Sequence, residues 1–174
     1  YVMSVERYHK RFIVTDAAIN IEPDLLTKAD ICQNAIDLMR ILGVDQPKVA
    51  LLSAIETVNP KIQSTIDAAA LCKMAERQQI RHALLDGPLA FDNAISLEAA
   101  QTKEINSQVA GDADIFLVPE LESGNMLAKQ LVLLSDANAA GIILGARVPI
   151  ILTSRSDGVR SRIGSCAIAV LMAD

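Results

Sequence analysis

The residues best suited to chemistry follow a short apolar run near the end of the sequence. Ile150–Leu152 leads directly into the side chains of Thr153, Ser154, Arg155, Ser156 and Asp157. A helix is expected to begin here, and N–H groups at a helix start favour an anion such as phosphate. The hydroxyls can donate hydrogen bonds and a guanidinium can hold a phosphate through two parallel bonds. The segment therefore predicts an anion site, and the alternative is an ordinary helix cap with Arg155 in solvent.

A second candidate lies where a predicted strand, 114–118, passes into a predicted helix, 121–134. Gly124 would let a ligand approach the backbone closely. Asn125 and Lys129 are four residues apart, so they would lie on one face of the helix. The pair indicates a contact for a phosphate or another polar ligand. The alternative is a turn followed by an exposed lysine.

Asp86 is a third candidate, because it follows a predicted strand, 83–85, and precedes Gly87-Pro88. It could contact a ligand or act as a general base, and the alternative is an aspartate that simply forms a turn. His9 and His82 have no partner spacing typical of a catalytic triad or a metal site, so no metal ligands are predicted.

The elements that must position these residues alternate between strand and helix patterns. Val2–Val5 and Phe12–Thr15 predict a hairpin within residues 1–20. Further strands are predicted at 48–52, 83–85, 114–118, 141–144 and 150–152, with helices between them. This alternation predicts an α/β fold, a layered and mostly parallel sheet with helices on both faces. The last helix is expected to turn Val159, Ile163, Cys166 and Val170 inward. Ligands should bind beyond the carboxyl ends of the strands, where 53–60, 86–93, 119–129 and 153–157 are expected.

Composition excludes several classes of function. The chain has 174 residues, 51% of them hydrophobic, which suits one ordinary domain. The net charge of −5 and the 3% of aromatic residues argue against nucleic acid as a partner. The chain has three cysteines and no CxxC pair, so neither a disulfide framework nor a zinc site is expected; they are Cys32, Cys72 and Cys166. A reducing cytoplasm is therefore the predicted location. No apolar run is long enough to span a membrane.

Three strings that contain these candidates occur together in order. They are DGPLAFDNAIS (Asp86–Ser96), VAGDADIFLVPELESGNMLAKQL (Val109–Leu131) and AGIILGARVPIILTSRSD (Ala140–Asp157). In type and spacing they resemble the phosphate acetyl/butyryltransferase family. NPKIQSTIDAAALCKMA (Asn59–Ala75) resembles the branch of that family that is fused to an enoyl-CoA hydratase-like domain.

The resemblance implies the reaction acyl-CoA + phosphate ⇌ acyl phosphate + CoA with a short acyl chain, acetyl or butyryl. It implies no permanently bound cofactor, since CoA is a substrate. It also implies a homodimer, and helix 121–134 is our candidate for the dimer interface. The fold implied is isocitrate/isopropylmalate dehydrogenase-like, with two α/β domains around a cleft. Residues 21–148 would then form one α/β domain, and 149–174 would return to complete a second domain that is mostly absent from this chain.

The resemblance also implies roles for individual residues. Arg155 would hold phosphate or CoA, and Ser154 would stabilise the charge that develops as the acyl group moves. Gly124 and Asn125 would lie beside the cleft, with Lys129 as a phosphate or CoA contact. Acetyltransferase members carry an Asp six residues after the Arg, where this chain has Ser161. Asp157 is the nearby candidate for the base, and its role stays open.

Two other interpretations of the function remain open. Because of Ser161 and the missing portion, the chain could be a catalytically incomplete or degenerate member that binds CoA or forms a dimer. Metal-dependent decarboxylating dehydrogenases are an alternative on fold alone. They need clustered carboxylate ligands, a pattern not seen in Asp86, Asp92, Asp112 and Asp114.

Overall fold

The structure is a computed structural model that describes residues 1–173. Its strands are β1 (Val2–Ser4), β2 (Phe12–Thr15), β3 (Lys48–Leu52), β4 (Leu84–Leu89), β5 (Ile115–Leu117), β6 (Asn138–Ile143) and β7 (Ile150–Leu152). Its helices are α1 (Leu25–Ile41), α2 (Gln63–Glu76), α3 (Phe91–Ile95), α4 (Leu97–Thr102), α5 (Leu121–Leu134) and α6 (Val159–Ala173). The bounds predicted for α5 and β7 are confirmed. The sequence pattern also predicts a single helix over 94–104, and the structure has two short helices there, α3 and α4. Asp174, the last residue of the predicted return segment, lies outside the described residues.

Within residues 1–173, seven strands form one mixed sheet in the order β4-β3-β5-β2-β1-β6-β7. The pairings β4–β3, β3–β5 and β5–β2 are parallel. The pairings β2–β1, β1–β6 and β6–β7 are antiparallel. The prediction of a mostly parallel sheet is therefore wrong for this second half. The physical reason is that the predicted β1–β2 hairpin, which is confirmed, lies in the middle of the sheet and reverses the strand direction there.

Helices cover both faces of the sheet, as predicted. Alternate residues of each strand point to opposite faces. Ile13 packs with residues of α1, α2 and α6, whereas its neighbour Phe12 packs with residues of α3, α4 and α5. On the α5 side, the Phe12 and Phe116 rings meet edge to face, with centroids 5.2 Å apart.

Helix α6 packs on β6 through a face that the apolar pattern does not mark. Ser165 and Ile168 are buried, and the Ser165 hydroxyl accepts a 3.0 Å hydrogen bond from the Gly141 N–H. The residues expected to point inward are instead exposed, with exposed fractions of 72% for Val159, 63% for Ile163 and 62% for Val170; Cys166 is exposed as well. The prediction for this helix is wrong because the side that bears Gly164 and Ser165 packs on β6, where an added Cβ at Gly164 would lie only 3.2 Å from the Ala140 Cβ.

Two buried charges join the helices on the α1 side. Lys28 of α1 donates a 2.6 Å hydrogen bond to the Asp67 carboxylate of α2, and both side chains are about one-tenth exposed. The Gln63 amide donates to the other carboxylate oxygen of Asp67 at 2.8 Å. Within residues 1–173, no helix combines the length and the apolar character needed to cross a bilayer.

Candidate active site

Helix α5 begins directly after β5 and carries two of the predicted ligand contacts. Glu120 is the N-cap residue of this helix: its carboxylate accepts hydrogen bonds from the N–H groups of Glu122 at 2.6 Å and Ser123 at 2.8 Å. Asn125 and Lys129 follow one turn apart and line the same cavity of about 370 Å³. Their predicted position on a common helix face is confirmed.

The opposite wall of this cavity is the segment after β7. Thr153, Ser154, Ser156 and Asp157 all line it. The segment is held as a tight turn: the Ser154 N–H donates to the Asp157 carboxylate at 2.7 Å, and the Ser154 and Ser156 hydroxyl oxygens are 3.0 Å apart. We call this space the α5–β7 cavity. Its remaining lining is mostly apolar and consists of Tyr1, Met3, Ala128, Val132, Leu133 and Ala139.

Residues 153–157 and the start of α5 come together at a different place in the fold from the one predicted. Residues 153–157 were predicted to lie beyond the carboxyl ends of the parallel strands. That prediction is wrong, because β7 runs antiparallel to β6 and therefore points toward the opposite end of the sheet. The segment instead meets α5 over the face of the sheet that bears Met3 and Ala139. Strand direction, which the sequence pattern does not carry, accounts for the difference.

Three predicted site residues do not line the α5–β7 cavity. Arg155 lies between two lining residues and is exposed, and no ion pair within residues 1–173 includes it. Gly124 is buried under the helix start, where an added Cβ would lie 2.8 Å from the Asp16 carbonyl oxygen. Asp86 belongs to β4, at the other edge of the sheet from β7.

Asp86 also does not end its strand, so that part of the prediction is wrong. Strand β4 continues to Leu89, which pairs with Leu52 after a register shift in the β3–β4 pairing. The shift accommodates Gly87-Pro88 inside the strand, and the Asp86 carboxylate accepts a hydrogen bond from the Gly87 N–H at 2.8 Å.

Sequence reasoning missed two residues near the site, Tyr1 and Asp16. Tyr1 lines the α5–β7 cavity and also a neighbouring cavity of about 180 Å³ that includes Asp16 and Asn20. Burial raises the pKa of the Tyr1 phenol, and the negative charges of Asp157 and Asp16 raise it further. Asp16 could have been found, because it directly follows the end of β2, the same kind of position that drew attention to Asp86.

The side chains around the α5–β7 cavity suit a small anion beside an apolar group. The Lys129 ammonium is a cation that can attract phosphate, and Arg155 adds a second nearby in the chain. The hydroxyls of Ser154 and Thr153 can donate hydrogen bonds, and Asp157 provides a carboxylate that can accept a proton. In the part of the chain that the structure describes, no group of three or more His, Cys, Asp or Glu residues could hold a metal ion.

A mixed α/β sheet with a cavity suited to an anion does not by itself define a protein family. Comparison with known proteins identifies the family. The family model described as "Phosphate acetyl/butaryl transferase" matches residues 1–170. The chain belongs to this family, as the three strings predicted.

Named relatives include both acyl specificities. The chain is 62% identical over 173 residues to the phosphate acetyltransferase of Rhizobium meliloti, covering 99% of this chain and 55% of the relative. It is 43% identical over 172 residues to the phosphate butyryltransferase of Clostridium acetobutylicum, covering 99% of this chain and 57% of the relative. The chain thus spans about half the length of these relatives.

Solved structures share the fold. A branched-chain phosphotransacylase from Enterococcus faecalis superposes with a TM-score of 0.90 at 39% identity, covering 98% of this chain and 60% of that one. The EutD phosphotransacetylase from Staphylococcus aureus gives a TM-score of 0.82 at 26% identity, covering 99% of this chain and 53% of that one.

Proposed function

We propose that the full-length protein containing this chain transfers a short acyl group between CoA and phosphate. The observation that carries the proposal is the α5–β7 cavity, which brings Asn125 and Lys129 to Ser154 and Asp157 in a member of this family. The substrates are acyl-CoA and phosphate in one direction and acyl phosphate and CoA in the other. The apolar wall formed by Val132 and Leu133 supports a short acyl chain beside the anion.

In the direction of CoA acylation, the CoA sulfur attacks the carbonyl carbon of acyl phosphate. The bond from that carbon to the phosphate oxygen then breaks, and phosphate leaves with the electron pair. Lys129 and Arg155 would balance the charge of the phosphate, and the Ser154 hydroxyl would donate to the oxyanion of the tetrahedral intermediate. Donors fixed in place before the reaction stabilise such charge most effectively.

The thiol of CoA must lose its proton for this attack, since the thiolate is the nucleophile. Asp157 is the carboxylate at the cavity and would accept that proton. Ser161, at the position where acetyltransferase members carry an Asp, instead lines a separate groove beside α6 with Arg11 and Arg160. Its location supports Asp157 as the base in this chain.

The length of the relatives supports a second domain in the full protein, completed by residues 149–174. Val159, Ile163 and Val170 form an apolar stripe on α6 that faces away from the sheet. Such a stripe commonly marks a contact surface. We expect the remaining part of the protein to pack there, close to Arg155, and to supply more of the phosphate site.

Other features implied by the family stay proposals. A homodimer through α5 is supported by the exposed side chains of Met126 and Leu134. The net charge of −5 supports the absence of nucleic acid as a partner. The isocitrate/isopropylmalate dehydrogenase-like fold, the relation to the branch with an enoyl-CoA hydratase-like domain and the cytoplasmic location remain predictions.

The proposal is tested with Lys129→Ala and Arg155→Ala in the full-length protein, with Arg77→Ala as a control at the exposed end of α2. Thioester formation from acetyl phosphate or butyryl phosphate and CoA is followed by absorbance. The two site variants should lose on the order of 10²-fold in kcat/KM, by analogy with the removal of one fixed donor. The control should match the wild type. Full activity in Arg155→Ala would remove that residue from the site, and no turnover by the wild type would refute the proposed activity.

The second candidate function is a member that binds CoA without turnover. The position of Arg155 outside the cavity lining and Ser161 in place of an Asp favour it. Calorimetric titration of CoA into the full-length protein, run beside the activity assay, separates the two functions. Binding without thioester formation would support this candidate.

A further inference from the structure

Asp16 folds the five residues that follow strand β2 into a compact turn. Its carboxylate accepts hydrogen bonds from the N–H groups of Ala18 at 2.9 Å, Ile19 at 3.1 Å and Asn20 at 2.8 Å. The Asn20 side-chain amide donates to the same carboxylate at 2.8 Å. We call residues 16–20 the Asp16 turn. Four donors on one carboxylate make the shape of this turn depend on that side chain.

The Asp16 turn is in direct contact with the part of α5 that faces the α5–β7 cavity. The Asn125 side-chain amide donates to the Ala17 carbonyl oxygen at 3.1 Å. The Gly124 position comes so close to Asp16 and Ala17 that an added Cβ would lie 2.8 Å and 3.1 Å from their backbone atoms. The amide of Asn125 can make four hydrogen bonds in all. The bond to Ala17 fixes one of them and leaves the oxygen and the other N–H for a ligand.

The charge of Asp16 is maintained although the residue is half-buried. Burial alone would raise the pKa of its carboxyl, but the hydrogen bonds from Ala18, Asn20 and Ile19 outweigh burial and lower the pKa. The carboxylate is therefore ionised at neutral pH and accepts all four bonds. An ionised acceptor also makes each of these bonds stronger than a neutral acceptor would.

We propose that Asp16 is a positioning residue for the α5–β7 cavity: it holds the Ala17 carbonyl where that carbonyl orients the Asn125 amide toward the ligand. This inference rests on the proposed acyl transfer for its kinetic consequences. Asp16 touches neither phosphate nor the acyl group in this arrangement and acts through Asn125. The competing explanation is that Asp16 only stabilises the fold, as any turn-forming aspartate does.

The experiment uses Asp16→Ala, Asp16→Asn, Asn125→Ala and the Asp16→Ala/Asn125→Ala double variant of the full-length protein. The matched control is Asp24→Ala, because Asp24 also accepts a backbone N–H, that of Thr27 at 2.8 Å, at the start of α1 and away from the α5–β7 cavity. The readouts are the Tm and the KM values for acyl phosphate and CoA.

Asp16→Ala should raise the KM of at least one substrate about tenfold, the loss expected for one misplaced hydrogen bond. Asp16→Asn, which keeps an acceptor oxygen, should recover part of that loss. The double variant should be no worse than Asn125→Ala alone, since residues that act through one another are not additive. Asp24→Ala should lower the Tm and leave both KM values unchanged. Multiplied effects in the double variant, or an equal KM change in Asp24→Ala, would overturn the assignment.

A crystal structure of Asp16→Ala tests the inference without any activity. The distance from the Asn125 amide nitrogen to the Ala17 oxygen, 3.1 Å here, should lengthen beyond hydrogen-bonding range. An unchanged Asn125 would refute the positioning role even if the wild type catalyses acyl transfer. A wild type without activity but with a displaced Asn125 in the variant would refute the proposed function and leave the positioning role standing.

Discussion

Replacing Gly124 by Ala tests whether α5 and the Asp16 turn are as tightly packed as the structure shows. A Cβ at this position would lie 2.7 Å from the Val118 Cγ2 atom, 2.8 Å from the Asp16 carbonyl oxygen and 3.1 Å from the Ala17 Cα atom. Two of these three atoms belong to the backbone and cannot move away by a change of rotamer. The substitution must therefore push α5 and the turn apart.

The expected change in stability is the difference between two opposing effects. Forcing an extra methyl group into a packed region costs about 1–3 kcal/mol. Ala in place of Gly in a helix gains up to about 1 kcal/mol from helix propensity. We expect the free energy of unfolding of Gly124→Ala to fall by about 1–2 kcal/mol, and the KM to rise because Asn125 moves away from Ala17.

Urea denaturation followed by circular dichroism measures the stability of the full-length variants. Gly158→Ala is the control, because an added Cβ there meets no atom within 4 Å. It should be as stable as the wild type or slightly more stable. If Gly124→Ala were as stable as Gly158→Ala and as active as the wild type, the close contact and the positioning argument built on it would both be wrong.

Three further predictions concern charges and thiols. Lys28→Met should lower the free energy of unfolding by about 3–5 kcal/mol in urea denaturation, because it leaves the Asp67 carboxylate buried without its cation; adding Asp67→Leu should restore most of the loss. For Asp112, burial would raise the pKa, but hydrogen bonds from Lys10, Lys48 and His9 outweigh it and lower the pKa. Asp112→Asn should therefore be less stable than the wild type above about pH 4, with the difference shrinking as the pH falls further toward the folded-state pKa, which urea titrations at several pH values would show. Alkylation at neutral pH should spare Cys32 and Cys72 in the folded protein, because burial raises their thiol pKa values to about 12, and should modify both once urea unfolds it; peptide mass mapping would reveal the sites.

Local signals in the sequence were sufficient for several elements. Helix α5 has the predicted bounds because Pro119 ends the preceding strand and a polar residue, Glu120, caps the helix. Asn125 and Lys129 share a cavity because helix geometry places residues four apart on one face. These inferences need only a few neighbouring residues, and they are independent of how the strands are ordered.

Local signals in the sequence do not determine the order of the strands or which face of a helix is buried against the sheet. The β1–β2 hairpin was predicted, but short runs such as Val2–Ser4 carry no information about which other strand lies beside them, so the antiparallel pairings β1–β6 and β6–β7 were missed. The apolar stripe of α6 indicates that Val159 and Ile163 avoid water, but not which surface covers them. The sheet instead receives Ser165, whose hydroxyl pairs with the Gly141 N–H.

The placement of β2 has a consequence for biosynthesis. This early strand pairs with the much later β5, Ile13 opposite Ile115, so the middle of the sheet closes only after most of the chain has left the ribosome. Contacts between distant parts of a chain also form slowly. The α5–β7 cavity also needs residues 153–157, which come later in the sequence than β5, so a nascent polypeptide should be unable to form this cavity before those residues are synthesised.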